Sequence, residues 1–172
     1  MSNGKERRME AEFRKRAVER QRGHWYEDFE IGREFVHHWG RTINESDNSL
    51  FSTLTLHFNP LFFNREFAFA HGHPREQVNP MLVFNTVFGL SVEDLSENGA
   101  GFLGVDDLTY HSPVYPGDTL TATSTVLATR LSSKNPQQAI CTWLTKGFNQ
   151  HGHLVVDFKR TNLIYTRPTA KD

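Results

Sequence analysis

One stretch limits what the rest of the chain can do. From Val78 to Asn98, VNPMLVFNTVFGLSVEDLSEN, apolar residues fall on nearly every side of a helical projection: Met81, Leu82, Val83, Phe84, Val87, Phe88, Leu90, Val92 and Leu95. A helix that is apolar all round for about four turns is enclosed by its neighbours instead of resting on a surface. Asn79 is a favoured cap, and Pro80 suits the first helical position, where a missing N–H costs nothing. Glu93, Asp94, Ser96, Glu97 and the Asn98-Gly99 pair supply the polar exit. A segment this short, with so polar an end, does not span a bilayer. Something in the same chain has to sheath it.

The chain has 172 residues, one domain's worth, which is enough to bury roughly two-thirds of its unfolded surface. A net charge of −1 argues against electrostatic binding of nucleic acid. The lone cysteine, Cys141, has no partner for an internal disulfide and reads as a buried, inert thiol in a strand. The N-terminus is charged and lacks the apolar run of a signal peptide, so the expectation is a soluble cytoplasmic protein with no membrane partner.

Residues 1–22 are dense in Arg, Lys and Glu, with Met9, Phe13 and Val18 at helical spacing. They predict a solvated helical extension, either peripheral or a partner-binding arm. Residues 23–168 form the folded domain. A first strand is expected over Glu34–Ile43, where adjacent His37 and His38 point to opposite faces and so do not share a metal. Asn44 with Glu45 and Asp47 starts a helix whose buried side is expected to carry Leu50, Phe51, Leu54 and His57. Asn59-Pro60 stops it, and a short helix follows over Leu61–Ala70. His71-Gly72-His73-Pro74 is a loop ahead of the long apolar helix. Its two histidines have no companion ligands at metal-site spacing, so a loop that moves over a site is favoured and no metal is expected.

After that helix the pattern is strands: Phe102–Val114 with a bulge at Asp106-Asp107, a Tyr115-Pro116-Gly117-Asp118 turn, then Thr119–Leu131, Gln138–Phe148 and Leu154–Tyr165. An α+β domain in which a curved antiparallel sheet wraps one central helix satisfies this order, and that is the hotdog architecture. Its exposed edges predict a homodimer or higher homo-oligomer.

Three segments carry more than a fold. TINESDNSLFSTLTLHFNPLFFNREFA (Thr42 to Ala68), the helix start VNPMLVF, and LTYHSPVYPGDTLTATSTV (Leu108 to Val126) together resemble the MaoC-like acyl dehydratases, in the branch that includes mesaconyl-CoA hydratase. The resemblance covers about Gly23 to Thr166. It implies an enzyme, without cofactor, that adds or removes water across the 2,3-double bond of an acyl-CoA thioester, possible substrates including branched or dicarboxylic acyl groups. Such chemistry needs a base for the water, an acid for the α-carbon and a donor to the thioester oxygen.

The family's pattern has an aspartate two residues before Asn-Pro and a histidine two residues after the proline, and this chain has His57 and Phe62 in those places. Phe62 transfers no proton, so His57 and Asn59 become the catalytic candidates. Phe62, Asn79, Met81 and Asn85 become substrate-binding candidates, with Met81 N–H and the helix end in the oxyanion role because Pro80 has no N–H. Each has a bland alternative: His57 a satisfied buried histidine, Asn59 a turn cap, Asn85 a structural hydrogen bond. Two other functions stay open: a degenerate hotdog protein that binds acyl thioesters or is purely structural, and, ranked last, a hotdog thioesterase, since Glu93 and Asp94 lie too near the helix end.

Overall fold

The computed structural model describes residues 22–168. The charged helix expected over residues 1–22 falls outside that range but for Arg22.

Three strands begin and end where the alternation of threonine with apolar residues places them: β4 (Thr119–Leu131), β5 (Gln138–Phe148) and β6 (Leu154–Tyr165). Strand β3 (Gly99–Tyr110) is displaced toward the N-terminus from its expected span. It pairs with β6 from Gly99, and Pro113, which has no N–H to donate, lies just past its end. The bulge is present, with a register shift between Asp106 and Thr109 and a positive φ of 52° at Asp107. The expected first strand is two short ones, β1 (Glu34–Val36) and β2 (Arg41–Thr42), both on β4. They form one antiparallel hotdog sheet in the order β1-β4-β5-β6-β3, with β2 on β4, and it does not close into a barrel.

Helix α1 (Glu45–Leu54) starts as expected, in a reciprocal box of Asn44 and Asp47. Its orientation reverses the expectation. Asn48 and Ser52 are buried, while Leu50 and Leu54 are 61% and 73% exposed and His57 is exposed. The reason is hydrogen bonding: Asn48 satisfies three backbone groups that would otherwise be buried without partners. The segment expected as one short helix is a tight turn, Pro60–Phe62, and then α2 (Arg65–Ala70).

The long apolar helix is two, α3 (Pro80–Leu90) and α4 (Val92–Ser96), broken at Ser91. Arg160 of β6 meets the helices at this break. Its guanidinium, 1% exposed, donates to Ser91 Oγ (2.8 Å), Ser96 Oγ and Asn162 Oδ1, and lies 4.1 Å from the centre of the Phe88 ring. Burial pulls it down to about 10. A buried cation needs such partners, and Ser91 and Ser96 on either side of the break supply two of them. Asp94 of α4 accepts from His37 Nδ1 (2.6 Å), whose Nε2 meets Ser124 Oγ at 2.8 Å, so α4 is tied to the sheet.

The enclosure is also one-sided in the single chain. Val83 and Val87 face the sheet, whereas Met81, Asn85 and Gly89 are exposed. Gly147 lets α3 approach, since a Cβ there would stand 2.5 Å from Val87 Cγ2. One apolar cluster gathers Val83 and Val87 with Ile43, Leu120 and Phe158; a second gathers Leu95 with Phe29, Trp143 and Cys141, whose thiol burial pushes up to about 12.

Candidate active site

The site is assembled where the chain leaves α1, turns at Asn59-Pro60 and returns to enter α3. Asn48 holds these pieces together. Its amide donates to the carbonyls of Phe62 and Gln77, both at 2.8 Å, and its oxygen accepts from Asn79 N–H at 2.8 Å. Asn59 caps the following turn, its Oδ1 accepting from Leu61 N–H at 3.1 Å, which leaves the amide NH2 as the group it can offer a ligand.

Asn79 is fully buried. Its Oδ1 accepts from Met81 N–H (3.0 Å), and its NH2 reaches His57 Nδ1 (3.0 Å) and Ser52 Oγ (3.3 Å). Two sequence expectations change here. Asn79 has no surface with which to touch a substrate; it positions His57 instead. Met81 N–H is already taken, and the next two helix N–H groups, of Leu82 and Val83, donate to Asn79 O, so the helix start offers no free oxyanion donor at Met81. The pairing also fixes the imidazole: because Asn79 Oδ1 faces Met81 N–H, its NH2 faces His57, so Nδ1 accepts and the proton of the neutral ring sits on Nε2.

A cavity of ≈ 400 Å³ opens beside this junction. Asn59, Phe62 and Pro80 line it, as do His73, Tyr110 and His111 from outside the predicted set. His57 is not among the residues on its wall; it packs on Phe62, the ring centroids 5.1 Å apart and edge to face. Met81 lies at the outer side, its Sδ 3.7 Å from Tyr110 O–H. Asn85 is exposed and donates to Met81 O at 2.8 Å, the structural alternative for that residue.

The two loop histidines part company. His71 ends α2 as its C-cap, its Nδ1 2.7 Å from Phe67 O, whereas His73 turns to the cavity, held by Gln77 and by Tyr115 O–H (3.2 Å). Burial raises the Tyr110 and Tyr115 phenols above their ordinary value, with Asp118 adding to the effect at Tyr115. Beside the site Arg65 pairs with Glu76 at 3.0 Å and holds that carboxyl down to about 2, against the opposing effect of burial; Arg75 adds to the pairing.

Sequence reasoning missed Asn48, Gln77, Tyr110 and His111. A signal existed for two of them: Tyr110-His111 lies inside the LTYHSPVYPGD run that carried the resemblance. For Asn48, the i, i+4 pair with Ser52 marks a polar stripe that pointed inward.

Known proteins are similar to this chain in sequence and in fold. Mesaconyl-CoA hydratase of Haloarcula marismortui is 38% identical over 159 residues, which are 91% of this chain and 44% of that protein. A crystal structure from Chloroflexus aurantiacus, described as that of a MaoC domain protein dehydratase, matches with a TM-score of 0.84 at 31% identity, over 91% of this chain and 44% of the other. A Mycobacterium tuberculosis protein described as having a double hotdog fold shares the fold, with a TM-score of 0.76 at 22% identity, over 87% of this chain and 46% of the other. This chain thus spans about half the length of the curated relatives it matches. The family model described as mesaconyl-CoA hydratase matches residues 6–172, so the chain belongs to the mesaconyl-CoA hydratase family.

Proposed function

We propose that the chain is an acyl-CoA hydro-lyase unit, adding or removing water across the 2,3-double bond of an enoyl thioester. The Haloarcula relative's name points to mesaconyl-CoA, a branched dicarboxylic thioester, as the first substrate to try. The observation that carries the reading is the ≈ 400 Å³ cavity against the Asn59-Pro60 turn and the start of α3. Its walls are mainly apolar, as an acyl group requires, with a few polar groups to fix orientation. In this reading the Asn59 NH2 donates to the thioester oxygen as enolate character develops. Phe62 is a wall, and His57 packs against its ring without lining the cavity.

We infer that the unit works as a pair. The outer edge of β3 has no neighbouring strand among the described residues and carries exposed Phe102 and Leu103. The cavity is lined by the end of that strand, so a second hotdog unit on this edge, in the simplest case another copy, would flank it. A cytoplasmic location fits a coenzyme A thioester substrate.

A second reading, a unit that binds acyl thioesters without turning them over, is favoured by Phe62 at the family's histidine position and by the occupied Met81 N–H. Incubation with crotonyl-CoA and mesaconyl-CoA, following loss of enone absorbance, separates the two. Turnover that falls about 100-fold or more in Asn59→Ala supports the hydro-lyase. Thioester binding without turnover supports the second reading, and release of free CoA would mean a thioesterase.

A further inference from the structure

Three titratable side chains line the cavity: His73, Tyr110 and His111. No carboxylate lines it among the described residues. Two of the three are poor candidates for moving a proton. Both ring nitrogens of His73 are within 2.8 Å of the Gln77 amide, and Nδ1 also faces Tyr115 O–H. The Tyr110 phenol is held in its protonated form by burial and points at Met81 Sδ.

His111 differs. Its backbone N–H donates to Val155 O at 2.9 Å, fixing its place against β6. Two residues further along that strand, Asp157 Oδ2 lies 3.3 Å from Nε2, and the side chain is 35% exposed. The Asp157 carboxylate thus stands at ion-pair distance from Nε2, facing the charge that the ring would carry after taking a proton at Nδ1. Nδ1 has no hydrogen-bond partner among the described residues, and His111 is on the cavity wall.

We propose that His111 is the catalytic base and acid of this cavity, with Asp157 as its positioning residue. The assignment rests on the hydro-lyase reading and fills the role left vacant at Phe62. In the hydration direction, His111 Nδ1 takes one proton from water. The hydroxyl oxygen bonds to C3, and the π electrons of C2=C3 move toward the thioester carbonyl, whose oxygen Asn59 stabilises. The imidazolium then returns the proton to C2 and the carbonyl re-forms. One water is added and nothing is oxidised. Because one group serves both steps, hydrogen and hydroxyl arrive on the same face.

The test uses the full chain with mesaconyl-CoA and crotonyl-CoA. His111→Gln is expected to lower kcat at least about 100-fold with KM within about threefold, and added imidazole should restore part of the turnover of His111→Gly. Asp157→Asn should lower kcat about 10-fold, again with KM held. In D2O the deuterium at C2 should be syn to the new hydroxyl. Wild-type turnover that survives His111→Gln within about twofold, or anti addition, overturns the assignment alone. A wild-type chain that binds thioester without turnover overturns the hydro-lyase reading and this assignment with it. Should the Gln variant lose its cooperative melt, Asp157→Asn decides: a change in KM with kcat intact overturns the proposal.

Discussion

Asn79 Nδ2 lies 3.0 Å from His57 Nδ1 while the same side chain's oxygen caps Met81 N–H, so the residue that starts the central helix also sets which nitrogen of His57 carries the proton. An aspartate in its place would still cap the helix, since a carboxylate also accepts from Met81 N–H. It would, however, present an acceptor to Nδ1. Asn79→Asp is therefore expected to move the proton of the neutral ring from Nε2 to Nδ1. Nitrogen-15 NMR of labelled histidine reads this directly; an Nε2–H tautomer in both proteins would show that Asn79 does not set the proton's position.

Asn48 is 1% exposed and bonds three backbone groups, one in the Pro60–Phe62 turn and two in the stretch that enters α3. Removing it leaves buried donors and acceptors without partners, each costing about 1–3 kcal/mol. Asn48→Ala is expected to destabilise the domain by about 3 kcal/mol in urea unfolding and to loosen the cavity wall at Phe62 and Gln77. Asn48→Leu should do no better, because the loss is of hydrogen bonds and not of volume.

Gly147 faces Val87, and an added Cβ would also stand 3.0 Å from Val156 Cγ1. Both valines are fully buried, so neither can swing away freely. Gly147→Ala is expected to cost about 1–3 kcal/mol through overpacking, and Val87→Ala in the same chain should recover part of it. A thermal melt of the single and double variants checks both statements.

Glu76 has its carboxyl held down to about 2 from an ordinary 4.5, chiefly by Arg65. A carboxylate with a depressed folded value binds protons more readily in the unfolded chain. Its contribution is therefore fully present above about pH 4.5 and lost as the pH falls through about 2. Glu76→Gln should flatten that acid limb while lowering stability at pH 7. Chemical denaturation across pH 2 to 7 measures it; parallel pH curves for the two proteins would mean the pair contributes nothing net.

Much of the architecture was legible in residue order because period-2 alternation and turn chemistry are local. Threonines alternating with Leu120, Ala122 and Val126 place β4 to the residue, and Asn44, Asn79 and Pro80 announce their helices through their own backbone preferences. The Asn59-Pro60 turn was visible for the same reason.

Side-chain partners distant in sequence were not visible. Arg160 lies 69 positions from Ser91, and nothing near Ser91 says that a buried guanidinium will meet the helix there. Apolar spacing in helix α1 favours burying Leu50 and Leu54, whereas Asn48, which satisfies backbone groups of Phe62, Gln77 and Asn79, is the side that faces inward. Tertiary structure alone brought His111 to Asp157 and separated His57 from the cavity. Local sequence determined where β4, β5 and β6 run and where helices α1 and α3 start, because capping, turns and alternation act over a few residues. Which face each element buries, and which polar groups meet in the site, was decided only when the whole chain had to satisfy its buried charges and hydrogen bonds at once.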